Sequence, residues 1–226
     1  RHMAGLQLRL APDWKTYWRA PGEAGIPPSF DWSGSQNVKS IRLHWPSPQV
    51  FHLNGMQTIG YHEALVLPIE VTPRDPAKPV LLSARVDLGV CNEICMPANV
   101  QLQTMLTSPG QPDDRIRAAL QDQPETAREA GLRQIACEVE PISDGLRLTA
   151  RIDLPQRGKA ETVVFETDDA SVWVEEAAST RQGQMLTSVT ELVAGSGAPF
   201  ALDRSRVTVT VLGEGRAVEI AGCPAP

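Results

Sequence analysis

The chain has 226 residues, 42% of them hydrophobic and 21% charged, with a formal net charge of −6. This length suits one or two domains with their own cores, and no apolar run approaches the roughly 20 residues of a bilayer-spanning helix, so no membrane segment is expected within it. Residues 1–107 carry nine Lys/Arg against eight Asp/Glu and residues 108–226 twelve against nineteen, with no basic stripe in either half, which argues against nucleic acid or an anionic membrane as partner.

In chain order, the opening Arg1-His2-Met3 reads as residues left by an expression vector, so a native leader is expected to have been removed. Period-two alternation then recurs: Leu6 to Leu10, Ile41 to Trp45, Leu67 to Val71, Leu82 to Leu88 and Val100 to Leu106. Short alternating runs punctuated by Pro and Gly predict half-buried antiparallel strands. Between Ser108 and Gln134 the texture changes. A breaker cluster ends in Asp113-Asp114, which suits a helix cap, and Arg115 to Gln121 predicts a short helix with Ile116 and Leu120 on one face. Pro124 to Gly131 is expected to hold another helical turn.

Alternation resumes at Leu146 to Ile152, Val163 to Phe165, Val172 to Val174, Val207 to Val211 and Val218 to Ile220. The expected fold is all-β: two tandem immunoglobulin-like β-sandwich domains, 1–107 and 135–226, joined by a short, partly helical linker over 108–134.

Four cysteines divide into two pairs. Cys137 opens the second half and Cys223 closes it. A bond between them would staple the domain's ends and act as a structural disulfide, with free thiols or a second redox pair as the alternatives. Cys91 and Cys95 sit in Val90-Cys91-Asn92-Glu93-Ile94-Cys95-Met96-Pro97, between two predicted strands. If those strands form a hairpin, the cysteines face each other at its tip, at a Cα separation a disulfide accepts. So short a loop contributes little chain-entropy stabilisation, which favours exchange chemistry over a staple. Leu88 to Gln103 contains no Lys, Arg or His, and Glu93 lies between the sulfurs, so nothing local supports a thiolate. The pair reads as a guarded carrier rather than an aggressive oxidant, unless a distant group folds beside it.

The segment Trp14-Lys15-Thr16-Tyr17-Trp18-Arg19-Ala20-Pro21-Gly22 resembles the amino-terminal periplasmic domain of the DsbD-type thiol–disulfide transporters. So do Gly25-Ile26-Pro27-Pro28, Asp31-Trp32, Gly60-Tyr61 and the Val90–Pro97 motif, over roughly residues 6–107, with the closest likeness to the ScsB branch linked to suppression of copper sensitivity. The resemblance implies an immunoglobulin-like redox domain on the periplasmic side of the bacterial inner membrane, the ectodomain of an integral membrane protein. It implies a protein-disulfide reductase that takes electrons from the transporter's thioredoxin-like domain and passes them to a periplasmic thioredoxin-fold partner, ScsC-like or similar, without a cofactor. Cys95 would be the attacking thiol and Cys91 the resolving one. A loop shields the cysteines in the better-known branch. Its counterpart here is the stretch from Ser47 to Met56, with Phe51 as the shielding side chain and Met56 and Tyr61 as alternatives, each of which packing alone would also explain.

Two readings from other classes compete. One is a binding or scaffolding sandwich with two structural disulfides. The other is a copper-binding module using His44, His52 and His62 with Cys91, Cys95 and Met96, although the histidines lack tight ligand spacing. Trp14, Trp18, Trp32 and Trp45 are expected to pack the first domain. The sequence has no Gly-rich phosphate loop, no nucleophile-elbow serine and no convincing pair of hydrolytic carboxylates.

Overall fold

The computed structural model describes residues 1–53 and 55–226. It divides into two compact units, residues 1–123 and 124–226. Among the described residues, no helix is long and apolar enough to cross a membrane.

The first unit runs through strands β1 (His2–Arg9), β2 (Lys15–Tyr17), β3 (Ser29–Asp31), β4 (Val38–Leu43), β5 (Gln49–Leu53), β6 (Met56–His62), β7 (Ala64–Pro73), β8 (Val80–Cys91) and β9 (Cys95–Leu106), and ends in helix α1 (Asp114–Gln121). One sheet is β1-β7-β4; the other follows the order β3-β8-β2-β6-β5, with β9 added on β8. Strand β8 pairs with β9 along its whole length, from Val80↔Leu106 to Cys91↔Cys95. Its other flank is shared by β3, opposite Asp87 to Arg85, and β2, opposite Cys91 and Val90.

Alternation decides which side chains form the core. Leu82, Ala84, Val86 and Leu88 of β8 and Leu65, Leu67, Ile69 and Val71 of β7 are all buried. These two sets occupy alternate positions of their strands, as the inner faces of packed sheets require. Burial of each such aliphatic side chain contributes roughly 1.5–3 kcal/mol. The odd positions of β8 lie on the other face of that sheet, and there Arg85 and Asp87 are exposed. Gly89 and Cys91 continue the same face and are nevertheless buried.

Helix α1 begins where the sequence indicates. Asp113 is the N-cap and its carboxylate accepts from the backbone N–H groups of Arg115 and Ile116. Ile116 packs against β1 at Gly5, where a Cβ would lie 2.9 Å from Ile116 Cγ1. The helix therefore belongs to the first unit, and the expected linker over 108–134 is divided between the two units rather than standing between them. The stretch 124–131 holds strand β10 (Glu125–Thr126) and then a single turn, in which the backbone N–H of Ala130 donates to the carbonyl of Thr126. Here the Glu129 carboxylate accepts from both the backbone N–H and the hydroxyl of Thr126. Strand β10 is held by parallel pairing to the end of the chain, which local sequence does not report.

The second unit continues with β11 (Gln134–Pro141), β12 (Leu146–Asp153), β13 (Thr162–Glu166), β14 (Val172–Val174), β15 (Ala178–Gln182), β16 (Met185–Ala194), β17 (Thr208–Gly213) and β18 (Arg216–Ala221). Its sheets are β10-β18-β17-β13 and β11-β12-β16-β14, with β15 also on β16. Both units are thus all-β sandwiches. Strand β16 is the longest strand here and is absent from the apolar pattern, because two of its inward positions are Ser188 and Thr190, both buried. The Cys137–Cys223 disulfide ties β11 of one sheet to the residue pair beyond β18 of the other, with a Cα separation of 5.4 Å and both cysteines fully buried. The backbone N–H of Cys137 donates to the carbonyl of Pro224 beside it, at 2.7 Å.

Candidate functional site

Cys91 ends β8 and Cys95 begins β9, so the hairpin brings them into direct register and they form a disulfide, with a Cα separation of 4.1 Å. This close approach is that of a non-hydrogen-bonded antiparallel pair, the site type in which facing side chains are nearest. The three-residue turn between them is held by the backbone N–H of Asn92 donating to the carbonyl of Ile94. The two cysteines differ in access. Cys91 is 1% exposed, whereas Cys95 is exposed at the strand edge, flanked by Ile94 at 64% and Met96 at 47%. Of the two sulfurs, Cys95 is the one open to an incoming thiolate.

Burial of Cys91 comes from β2. Register places Lys15 opposite Cys91, and Tyr17, two residues on, shares that face. The Tyr17 hydroxyl donates to Cys91 Sγ at 2.9 Å and lies 3.4 Å from Cys95 Sγ. Gly89 makes this possible. A Cβ there would lie 2.9 Å from Ile26 and 3.2 Å from the Tyr17 ring, so the glycine leaves room for both side chains over the sheet. Burial raises the Tyr17 pKa above the ordinary tyrosine value, which keeps the hydroxyl a donor throughout the neutral range.

Lys15 extends along the same face over strand β6. Its ammonium donates to Thr58 Oγ1 at 3.2 Å and lies 5.2 Å from the centre of the Phe51 ring. Partial burial lowers its pKa below that of a free lysine. The local sequence has no cation beside the sulfurs; the sheet sets Lys15 in register with Cys91, with its ammonium directed to Thr58 and Phe51. Tyr17 and Lys15 belong to the segment that carries the family likeness, and the sequence by itself does not assign either to the site. A three-residue strand offers too little periodicity to reveal which way its side chains point.

The shielding candidates separate. Phe51 is half-buried on β5, on the same face as Thr58 and Lys15, with His62 at 6.4 Å between ring centres. It lies across β2 and β6 from Cys91, with Lys15 between them. Met56 is 54% exposed at the start of β6. Tyr61 is corrected: it shares a face with Thr16, stacks on Trp45 and donates to the carbonyl of Pro46, so it belongs to the interior of the sandwich. One-residue alternation along β6 puts Gly60 and His62 on the outer face and Tyr61 on the inner. Of the stretch Ser47–Met56, Asn54 lies outside the described residues.

The histidines are not gathered around the sulfurs. His44 pairs with Glu70 at 3.0 Å, and His62 lies with Asp13 and Glu63 in an exposed group whose potential ligand atoms are all within 4.8 Å of one another. Trp18 and Trp45 are buried, as expected of packing residues, and Phe30 stacks on Trp32.

A buried and an exposed sulfur joined at a hairpin end, beneath a tyrosine hydroxyl, describe a disulfide arranged for attack from one side. Residues 1–107 match the family described as thiol:disulfide interchange protein DsbD, N-terminal. The first unit contains a DsbD-type amino-terminal domain. Over the whole chain, the fold is similar to that of the N-terminal periplasmic domain of ScsB from Proteus mirabilis. The TM-score is 0.74 at 22% identity, covering 99% of this chain and 87% of that one. No curated protein sequence matches the chain. The DsbD-type assignment makes the first unit a thiol–disulfide exchange domain. The likeness to ScsB extends the shared fold to the second unit.

Proposed function

We infer that this DsbD-type protein is the periplasmic ectodomain of a membrane thiol–disulfide transporter and acts there as a protein-disulfide reductase. It accepts electrons from the transporter's thioredoxin-like domain and passes them to a periplasmic thioredoxin-fold protein. The observation that carries this reading is the asymmetric pair: exposed Cys95, buried Cys91, and the Tyr17 hydroxyl 2.9 Å from the buried sulfur.

The chemistry follows from that asymmetry. A thiolate of the donor attacks Cys95 Sγ; the donor–Cys95 bond forms, the Cys91–Cys95 bond breaks, and the electron pair leaves on Cys91. The Tyr17 O–H meets the charge that develops there. A second donor thiolate then attacks its own sulfur in the mixed disulfide and releases Cys95. The donor is left as a disulfide and this protein as a dithiol. In the forward transfer, Cys95 attacks the partner's disulfide and Cys91 resolves the mixed disulfide. The side chains Ile94 and Met96 beside Cys95 form an apolar rim for the partner's surface.

The test is electron transfer itself. The reduced chain is mixed with oxidised periplasmic thioredoxin-fold proteins and the redox state of each is read by alkylation and mass. Transfer that Cys95→Ser abolishes, with Cys91→Ser trapping a mixed disulfide, is the expected result. If both disulfides resist reduction alike, or Cys95→Ser leaves transfer intact, the pair is a staple and the sandwich is a scaffold.

A further inference from the structure

We propose that Ile26 is a positioning residue for the exchange: with Gly89 it seats the ring of Tyr17, and so keeps the tyrosine hydroxyl on the buried sulfur of Cys91. The proposal deepens the exchange reading above and rests on it. Alternation along β8 puts Asp87, Gly89 and Cys91 on one face of the sheet, and only the last two are buried. Gly89 has no side chain, so its neighbours cover it. An added Cβ there would meet Ile26 Cβ and Cδ1, both at 2.9 Å, and the Tyr17 ring at 3.2 Å. Ile26 and the ring therefore flank one point above Gly89. The carbonyl of Gly89 accepts from the Thr16 hydroxyl at 2.9 Å, which fixes the floor of the seat against the residue next to Tyr17. From this seat the Tyr17 hydroxyl reaches Cys91 Sγ at 2.9 Å.

The segment that carries Ile26 is built to hold it there. Between β2 and β3 the chain is tied to β6: the Trp18 N–H donates to the carbonyl of Ile59 at 3.0 Å, and the Ile59 N–H to that of Pro21 at 2.9 Å. Gly22 follows with a φ of 81°, in the left-handed region that favours glycine, and its carbonyl accepts from the N–H of Gly25 at 3.1 Å. A Cβ at Gly25 would run into Pro21, so this turn closes only on glycine. Pro27 then biases the backbone of Ile26 to the extended region, which limits where its side chain can point. The chain next joins β8 at Ser29↔Asp87, while β2 joins it at Thr16↔Val90. Gly89 lies in the gap between those two pairings, and there Ile26 reaches it. Ile26 is 39% exposed, so the interior of the domain does not depend on it.

In the experiment the full chain is reduced with dithiothreitol, and the opening of each disulfide is followed by alkylation and peptide mass, with Cys137–Cys223 as the internal control. Ile26→Ala frees the ring to turn from the sulfur. Opening of Cys91–Cys95 is then expected to slow about tenfold, the smaller loss that follows removal of a hydrogen bond to a charged group. Ile26→Val, which keeps the branched Cβ against the ring, is expected to hold the original rate. In Tyr17→Phe, where no hydroxyl remains to be positioned, Ile26→Ala is expected to add nothing. A mere cover gives the opposite sign, since its removal admits the reductant and speeds opening. Faster or unchanged opening in Ile26→Ala, or equal slowing with and without the tyrosine hydroxyl, overturns the proposal. Should Ile26→Ala not fold, Gly89→Ala, whose methyl group pushes on Ile26 and the ring, is expected to slow opening alike, and an unchanged rate there overturns the proposal equally. The two inferences fail separately. Unchanged opening in Ile26→Ala with electron transfer intact removes the seat and leaves the relay. Slowed opening in a protein that transfers no electrons removes the relay and leaves the seat.

Discussion

The Tyr17 hydroxyl touches Cys91, the sulfur that solvent does not reach, at 2.9 Å. This one contact ties a short inner strand to the hairpin end and gives the leaving sulfur a donor before any partner arrives. Tyr17→Phe keeps the ring over Gly89 and removes only that donor. A hydrogen bond to a charged group is worth roughly 1.5–3 kcal/mol. Reduction of the Cys91–Cys95 bond by dithiothreitol is therefore expected to slow by roughly tenfold to a hundredfold, while the denaturation midpoint changes little. An unaltered rate would remove the hydroxyl from the chemistry.

Both tyrosines of the chain, Tyr17 and Tyr61, have pKa values raised above the ordinary 10.0, in each case first by burial. A group whose folded value is raised contributes stability that is complete below its unfolded value and is lost as pH climbs through the folded one. Phenolate absorbance at pH 10.0 should thus be weaker in the folded protein than in the unfolded chain, which is half-ionised there. Stability should decline only in the alkaline range above it. Early phenolate formation by either residue would contradict the burial described for it.

The two disulfides should part company under reduction. Cys95 is exposed, whereas Cys137 and Cys223 are both 0% exposed. In a glutathione series, Cys91–Cys95 is expected to open first, as read by alkylation and peptide mass. The chain-entropy model assigns about 4.6 kcal/mol to a loop of the 86-residue separation between Cys137 and Cys223 and about 2 kcal/mol to the short one. Replacing Cys137 and Cys223 by alanine should accordingly lower the unfolding free energy of the second unit by several kcal/mol. Replacing Cys91 and Cys95 should cost far less stability and all exchange.

The family match spans residues 1–107, but the compact unit runs to 123. Ile116 rests on β1 at Gly5, and Ala119 is buried. A chain of residues 1–107 should therefore unfold at a lower temperature than one of residues 1–123, and Ile116→Ala in the longer chain should reproduce part of that loss. Equal melting temperatures would show that the helix only rests on the domain.

Much of the architecture is readable in order along the chain. The alternation of Leu82 to Leu88 and Val100 to Leu106 yields the β8–β9 hairpin, and with it the facing cysteines, because period two and a three-residue turn leave one register. Asp113 marks the helix start for an equally local reason, its side chain capping the N–H groups that follow. The all-β class follows from the same alternation. Where inward positions are polar, as at Ser188 and Thr190 of β16, the pattern is hidden even though the strand is buried.

The cysteine pair keeps the place its motif gives it and takes its surroundings from the fold. Sequence alone determined which two sulfurs meet at the hairpin end, since that depends on contacts between neighbours in the chain. Tertiary structure decided the rest: that Cys91 is buried and Cys95 is not, that Tyr17 donates to the buried sulfur, and that Lys15 stands across the ladder from it. Those relationships join residues more than 70 positions apart. They exist only because β2 inserts between β6 and β8, a pairing that long-range packing selects and that no three-residue segment encodes by itself.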